Sequence, residues 1–264
     1  MDLGIRGRRA LVFGGSRGMG RAAAQCLADE GVLVTIAARN PATLAAAAAQ
    51  ISANSGTVVT PVVADLTQAA GRAAALQACP APDILINNAD GPAPGDFRDL
   101  SRDDWLGALD SMMLGPIFMM RAVVDGMIER RFGRIINISS RSVKTPQGEM
   151  PLSNGSRLGL LGFVAGLSRQ IARHNVTINN VLPGVFDTDA QKNHIRGMLG
   201  TDGKSADGKS YDQLWHERGS GNPAGRFGRA AEAGAFCAFL CSAHAGYITG
   251  QSLLIDGGGY PGTL

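Results

Sequence analysis

Short apolar runs rich in β-branched residues alternate with longer alanine-rich segments along the chain. The runs at 10–13, 32–37, 57–63, 83–86, 134–139, 177–182 and 252–255 are too short for helices. Most carry apolar residues almost without interruption, the pattern of strands buried on both faces. The segments at 18–30, 41–53, 67–78, 101–130, 152–173 and 229–242 are predicted helices. Pro41 stands in the first turn of the second, which is almost all alanine. Ser101 caps the fourth, and Gly115-Pro116 predicts a kink inside it.

Regular alternation of strand and helix predicts an α/β chain folded as one domain over residues 1–264. Its core is a doubly wound, parallel, seven-stranded sheet with helices on both faces. In such a sheet the ligand sits at the carboxyl ends of the strands, where the strand order reverses. The stretch 184–226 breaks the pattern with Gly197, Gly200, Gly203, Gly208, Gly219, Gly221 and Gly225. It reads as an excursion, part helix and part lid, covering the site.

Composition narrows the function classes. Glycine, at 36 of 264 residues, is about twice the usual share without a triplet period, so collagen is excluded and tight turns are expected. The net charge of +3 comes without a basic tract, which argues against nucleic acid as a partner. Cys237 and Cys241 lie four apart in an apolar helix and read as core rather than as metal ligands. The start of the chain is charged, unlike a signal peptide, and its apolar stretches fall short of the ~18 residues of a membrane span. The expectation is a cytoplasmic protein with reduced thiols, without metal or membrane.

The first strand runs into Gly14-Gly15-Ser16-Arg17-Gly18-Met19-Gly20 and then a helix. Glycines let the backbone approach a pyrophosphate, and the helix amino end offers N–H groups and a favourable dipole. This is the Rossmann arrangement with a turn one residue wider than G-x-G-x-x-G. At the end of the second strand an acid would hold the adenosine ribose. This chain has Ala37-Ala38-Arg39-Asn40 instead. Arg39 with Arg17 suits a 2′-phosphate, so NADP(H) is expected in preference to NAD(H).

These motifs, with Asp65-Leu66-Thr67, Asn87-Asn88-Ala89, 133–140, Asn179-Asn180-Val181-Leu182-Pro183-Gly184 and Asp256-Gly257-Gly258, resemble the short-chain dehydrogenase/reductase family over nearly the whole chain. The resemblance is strongest to its 3-oxoacyl-carrier-protein reductase-like branch. It implies that Gly14, Ser16, Arg17, Gly18, Met19 and Gly20 hold the pyrophosphate. Asp65 and Leu66 would contact the adenine. Asn87 and Ala89 would line the cofactor and steady the central strand. Pro183, Gly184, Val185 and Thr188 would hold the nicotinamide. It also implies a small-molecule substrate and a homo-oligomer, tetramer or dimer, packed through the helices at 101–130 and 152–173. The tail at 259–264 would dock on a neighbouring subunit.

The same resemblance implies a catalytic Ser, Tyr and Lys. Ser140 matches the first. Counting on from it puts Ser153 at the Tyr position and Arg157 at the Lys position, while Met112 stands where the family has a helper Asn. Asp90 replaces the last Gly of Asn-Asn-Ala-Gly. A phenol has a pKa near ~10 and an aliphatic hydroxyl lies closer to water's ~15.7, a gap worth roughly 8 kcal/mol of acid strength. Half of that in the transition state is about a thousandfold in rate. Arg157 keeps a positive charge on the face of Ser153, one turn away. Other candidate acids are Asp90, Lys144, His194, Tyr211 and His216. The sequence therefore predicts an atypical NADP(H)-dependent oxidoreductase acting on a carbonyl or alcohol. The competing readings are an impaired nucleotide-binding sensor or partner subunit, and a lyase or isomerase reusing the pocket.

Overall fold

A computed structural model of the chain describes residues 1–263. Strands β1 (Arg9–Phe13), β2 (Leu33–Ala38), β3 (Thr60–Val63), β4 (Ile84–Asn88), β5 (Gly133–Ile138), β6 (Val176–Pro183) and β9 (Ser252–Ile255) form one parallel sheet. Its order is β3-β2-β1-β4-β5-β6-β9. The order reverses between β1 and β4, where a crevice opens at the carboxyl edge.

Helices α1 (Gly18–Asp29), α2 (Pro41–Ser55) and α9 (Ala230–Leu240) cover one face. Leu27, Leu44, Ile51, Cys237 and Leu240 pack there on Val12, Val34, Ile36, Ile86 and Ile136. Cys237 and Cys241 both lie in this core, as their spacing predicted. The other face carries α3 (Ala69–Ala78), α5 (Gly115–Glu129) and α6 (Pro151–Ile171). There Met119, Met120, Met127 and Val164 pack on Leu11, Phe13, Leu85, Ile135 and Ile178. Each such burial stabilises the fold by about 2 kcal/mol. The strict alternation of the two sets along β1 and β4 is the period of two made physical.

One element departs from the sequence reading. The helix expected at 101–130 is α4 (Arg102–Leu109), a π turn (Asp110–Leu114) and α5. Ser101 does cap it, accepting from Asp104 N while Asp104 reaches back to Ser101 N. The irregularity lies one turn before Pro116, which sits unstrained in the first turn of α5, where its missing N–H is not needed. The combined stretch Arg102–Glu129 also contains an 18-residue window with a mean hydropathy of 1.3, long and apolar enough to cross a membrane by length and composition. That corrects the expectation of uniformly short apolar stretches. Its Met119, Met120, Val123 and Met127 are core residues here. Finally, residues 184–226 contain a two-residue strand β7 (Phe186–Asp187) and helices α7 (Asp189–Gly197) and α8 (Tyr211–Ser220); β7 pairs with β8 (Gly228–Arg229), which follows the stretch.

Candidate functional site

The chain must turn sharply from the end of β1 into α1. Gly14 has φ +62° and Gly18 φ +56°, conformations that L side chains rarely adopt. Space is a second constraint. A Cβ at Gly14 would lie 2.6 Å from the Asn88 carbonyl oxygen, and one at Gly20 would run into the Gly14 carbonyl. Asn88 Nδ2 donates to that same Gly14 oxygen at 3.3 Å, tying the turn to β4. Among the described residues no side chain caps the amino end of α1. By contrast, Asn40 caps α2 and Thr188 caps α7. The first N–H groups of α1 are thus presented to an anion. Thr188 Cγ2 lies 3.8 Å from the place of a Cβ on Gly18, so α7 begins at the rim of this cradle. Ser16 and Met19 are half-buried and Arg17 is exposed. A cavity of about 380 Å³ opens beside Gly18 and Thr188, with Arg21, Asp187, Asp189 and Lys192 on its wall, Lys192 being paired with Asp187 at 2.9 Å. The glycine turn and the uncapped first turn of α1 fit a dinucleotide's pyrophosphate.

Further along the carboxyl edge, Arg39 closes β2 and lies 3.9 Å from Asp90, which follows β4; both side chains are more than 70% exposed. The Asp65 carboxylate accepts from Thr67 N at 2.9 Å and from its hydroxyl at 2.8 Å, while the Leu66 carbonyl takes Arg72 Nη1. Pro183 ends β6. Gly184 passes so close to Asp256 that a Cβ would lie 2.7 Å from the Asp256 Cβ, and the Val185 carbonyl accepts from Gly228 N.

Ser153 and Arg157 lie on the first turns of α6, four residues apart and both buried. Arg157 Nε donates to Ser153 Oγ at 3.2 Å, Nη1 to the Ile138 carbonyl at 3.2 Å, and Nη2 to the Ala89 carbonyl at 3.4 Å. One guanidinium therefore bridges α6 to the carboxyl ends of β4 and β5. Burial pushes its pKa down to about 10, partly offset by Asp90, so it stays charged at neutral pH. Ser140 sits just past the same end of β5. Its Oγ accepts from Ser142 N at 3.1 Å and caps the short turn Arg141–Val143. Met112, in the π turn, is buried with Leu152, Ala108 and Trp105.

Asn87 is 2% exposed, and its amide donates to Asn137 Oδ1 at 2.9 Å. Asn137 in turn donates to Asn180, and Asn180 to Ser252 Oγ. The register places these four side by side across β4, β5, β6 and β9. The ladder ties the central strands together beneath the crevice. Only its strand-steadying half follows from the sequence, because the pairing depends on register.

Other candidates are dispersed. Tyr211 stacks on Trp215, which stacks on Phe227. His216 is exposed. Lys144 stands 5.8 Å above the Tyr260 ring, and a Cβ on Gly259 would strike Arg141, so the tail folds back over the turn after Ser140 within its own chain. Leu264 of that tail lies outside the described residues. His194 on α7 is half-buried, and burial and Arg218 hold its pKa below the usual imidazole value. Asn88, Arg141 and Arg218 escaped the sequence reading. For the first two the available signal was adjacency, to Asn87 and to Ser140.

The short chain dehydrogenase family profile matches residues 8–198. The chain is 34% identical to the 3-oxoacyl-(acyl-carrier-protein) reductase FabG of Vibrio harveyi, over 98% of this chain and 99% of that one. It is 32% identical to the NADPH-dependent reductase BacG of Bacillus subtilis, over 95% and 97%. Among solved structures, the L-sorbose reductase of Gluconobacter frateurii, complexed with NADPH and L-sorbose, superposes with a TM-score of 0.91. The identity is 27%, and all of both chains is covered. The whole seven-stranded fold is thus shared with a solved relative over the full length of both chains. By sequence and by fold, the chain belongs to the short-chain dehydrogenase family.

Proposed function

We propose that the protein is an NADP(H)-dependent oxidoreductase that interconverts a carbonyl and an alcohol, with Ser140, Ser153 and Arg157 in the catalytic positions. The observation that carries this reading is the Arg157 bridge. A charged guanidinium is buried against Ser153 at the carboxyl ends of β4 and β5, beside the turn that starts at Ser140. Gly14, Ser16, Arg17, Gly18, Met19, Gly20 and Thr188 would cradle the pyrophosphate. Arg39 would meet the 2′-phosphate, with Asp65, Leu66, Asn87 and Ala89 along the adenosine side and Pro183, Gly184 and Val185 at the nicotinamide. Relatives named as NADPH-dependent or solved with NADPH support that cofactor. When bound, it supplies or accepts the hydride.

The chain's own residues handle the proton. Because Arg157 donates to Ser153 Oγ, that oxygen accepts on one side and its hydroxyl hydrogen is directed elsewhere. The guanidinium also stabilises negative charge on the oxygen, lowering an otherwise very weak acid. Arg157 does not itself give up a proton at working pH. With serine where the resemblance implies tyrosine, reduction proceeds slowly. Residues 184–226 act as the cover of the substrate side. The face carrying Phe118, Leu158 and Phe163, each at least 37% exposed, suits a homo-oligomer contact. Four free cysteines fit a reducing compartment such as the cytoplasm.

Tryptic stability and NADPH fluorescence first establish cofactor binding. The double variant Ser153→Tyr with Arg157→Lys is then assayed for NADPH oxidation against a panel of carbonyl compounds. At least a tenfold gain over the parent is expected. Unchanged rates with intact NADPH binding would favour the nucleotide-binding reading, for which the 2% exposure of Ser153 is the supporting observation.

A further inference from the structure

Beyond Asp90 the chain leaving β4 runs through Gly91-Pro92-Ala93-Pro94-Gly95, a strap stiffened by two prolines. It lies across the Ser153–Arg157 pair. A Cβ on Gly91 would stand 3.6 Å from Arg157 Nη2, and Gly95 N donates to the Glu149 carbonyl at 2.8 Å. The segment before α6 is tied down in turn, because Asn154 Nδ2 donates to the Gln147 carbonyl at 2.8 Å. Between strap and helix a void remains beside Ser153, with about 10 Å³ of room. That is the space of one water, or of a methyl group, which is scarcely larger.

Pro92, Ala93, Leu100, Met150, Leu152 and Ser153 line the void, and of the side chains lining it only that of Ser153 is polar. Leu152 is 5% exposed and packs with Ala108 and Met112, with Leu100 and Trp105 against them. Two walls thus belong to a packed cluster and two to the latched strap, so the void does not widen without repacking. Ser153 Oγ accepts from Arg157 Nε, which leaves its hydrogen for a carbonyl oxygen. Ser153 is 2% exposed, so a carbonyl that reaches it lies against these same walls. The carbonyl's substituents then begin about 4 Å from Oγ, and one of them enters the void. A carboxylate there would be buried with no cation among the lining side chains. An apolar group of that size needs no partner.

We infer that the substrate is a methyl ketone, or the matching secondary alcohol, whose methyl group fills the void beside Ser153, with Pro92, Met150 and Leu152 as specificity-determining residues. This rests on the reductase reading, since it takes Ser153 as the residue that meets the carbonyl. The larger substituent lies on the opposite side of the carbonyl. A ketone with ethyl or longer groups on both sides overfills the void, and one extra methylene in a fitted apolar pocket discriminates by about 10–200-fold.

The experiment offers 2-octanone, 3-octanone and 2-oxooctanoate to the protein at saturating NADPH and measures the alcohols formed by chromatography. These keep the chain length and change only the group beside the carbonyl. The kcat/KM for 2-octanone is expected to exceed that for each of the other two at least tenfold. Met150→Ala and Leu152→Ala widen the void and should each cut the preference for 2-octanone over 3-octanone at least fivefold, with NADPH affinity within twofold of the parent. Melting temperatures show which variants fold. Leu152 belongs to the packed cluster, so if Leu152→Ala unfolds, the half-buried Met150→Ala decides alone. Equal turnover of the two ketones, equal turnover of 2-oxooctanoate, or a methyl preference that survives in every folded widening variant overturns the inference. Alcohol formed without methyl preference sinks this inference alone. NADPH binding with no alcohol from any of the three sinks the reductase reading and this inference with it.

Discussion

A buried arginine stands at each end of strand β5, one from the strand itself and one from α6, and the two are held in different ways. Arg134, at the amino end, donates to Ser242 O at 3.0 Å, to Gly133 O and Asn175 O at 2.9 Å, and to Asn175 Oδ1 at 3.1 Å. Its guanidinium also lies 4.4 Å above the Phe132 ring. Arg157, which reaches the carboxyl end at Ile138, makes three longer bonds of 3.2–3.4 Å. Both cations are desolvated, and both pKa values fall for that reason. The amino-end arginine satisfies main-chain carbonyls where the loops after α6 and α9 meet. The carboxyl-end arginine faces the crevice and grips one side-chain hydroxyl. The difference teaches that burial of a charge alone does not mark a site. Where the cation sits on a parallel sheet, and how completely the fold has satisfied it, separates a structural role from a chemical one.

The comparison breaks first on stability. Arg134→Met removes four hydrogen bonds and the ring contact from a largely buried cation, so it should destabilise the fold by about 3 kcal/mol. Urea denaturation measures the loss, and NADPH affinity in the folded fraction should change less than twofold. Arg157→Met should shift stability by only about 1 kcal/mol, because its bonds are longer and an apolar isostere avoids the desolvation cost. Its effect should appear in binding, as a roughly tenfold weaker NADPH affinity by fluorescence titration, equal to about 1.4 kcal/mol. If Arg157→Met unfolds the protein as Arg134→Met does, both arginines are structural and the asymmetry disappears.

The same asymmetry explains what the sequence could reveal. Strand and helix order, the glycine turn and the four-residue step from Ser153 to Arg157 are local patterns, readable from spacing, and the structure contains each of them. Arg134 was invisible as a buried residue because its partners lie 41 and 108 positions away. The Asn87–Asn137–Asn180–Ser252 ladder was invisible for the same reason, since it exists only once four strands are in register. Gly115-Pro116 predicts a kink because proline is the usual cause. The π turn before it carries no comparable residue signal; its Met112 packs on Leu152 and its Met113 lies against Gly159, both on α6.

The smallest expected effect concerns the exposed counterpart of these buried cations. Arg39 and Asp90 face each other at 3.9 Å across the crevice rim, and an exposed pair of this kind is worth at most about 1 kcal/mol. A 2′-phosphate carries more charge than one carboxylate and offers more acceptor oxygens, so it should draw Arg39 away from Asp90. Arg39→Ala should then weaken NADPH binding about fivefold, within the range of one exposed charge-assisted contact, and leave NADH binding unchanged. Asp90→Asn removes the competitor and should strengthen NADPH binding about twofold, again without effect on NADH. Parallel fluorescence titrations with the two nucleotides at low and high salt test both variants, since screening should shrink each difference. Equal responses to NADPH and NADH would remove Arg39 from cofactor choice and leave the pair as a surface contact. Opposite responses in the two variants would place the nucleotide's charged end between them, on the solvent-facing rim rather than at the buried end of β5.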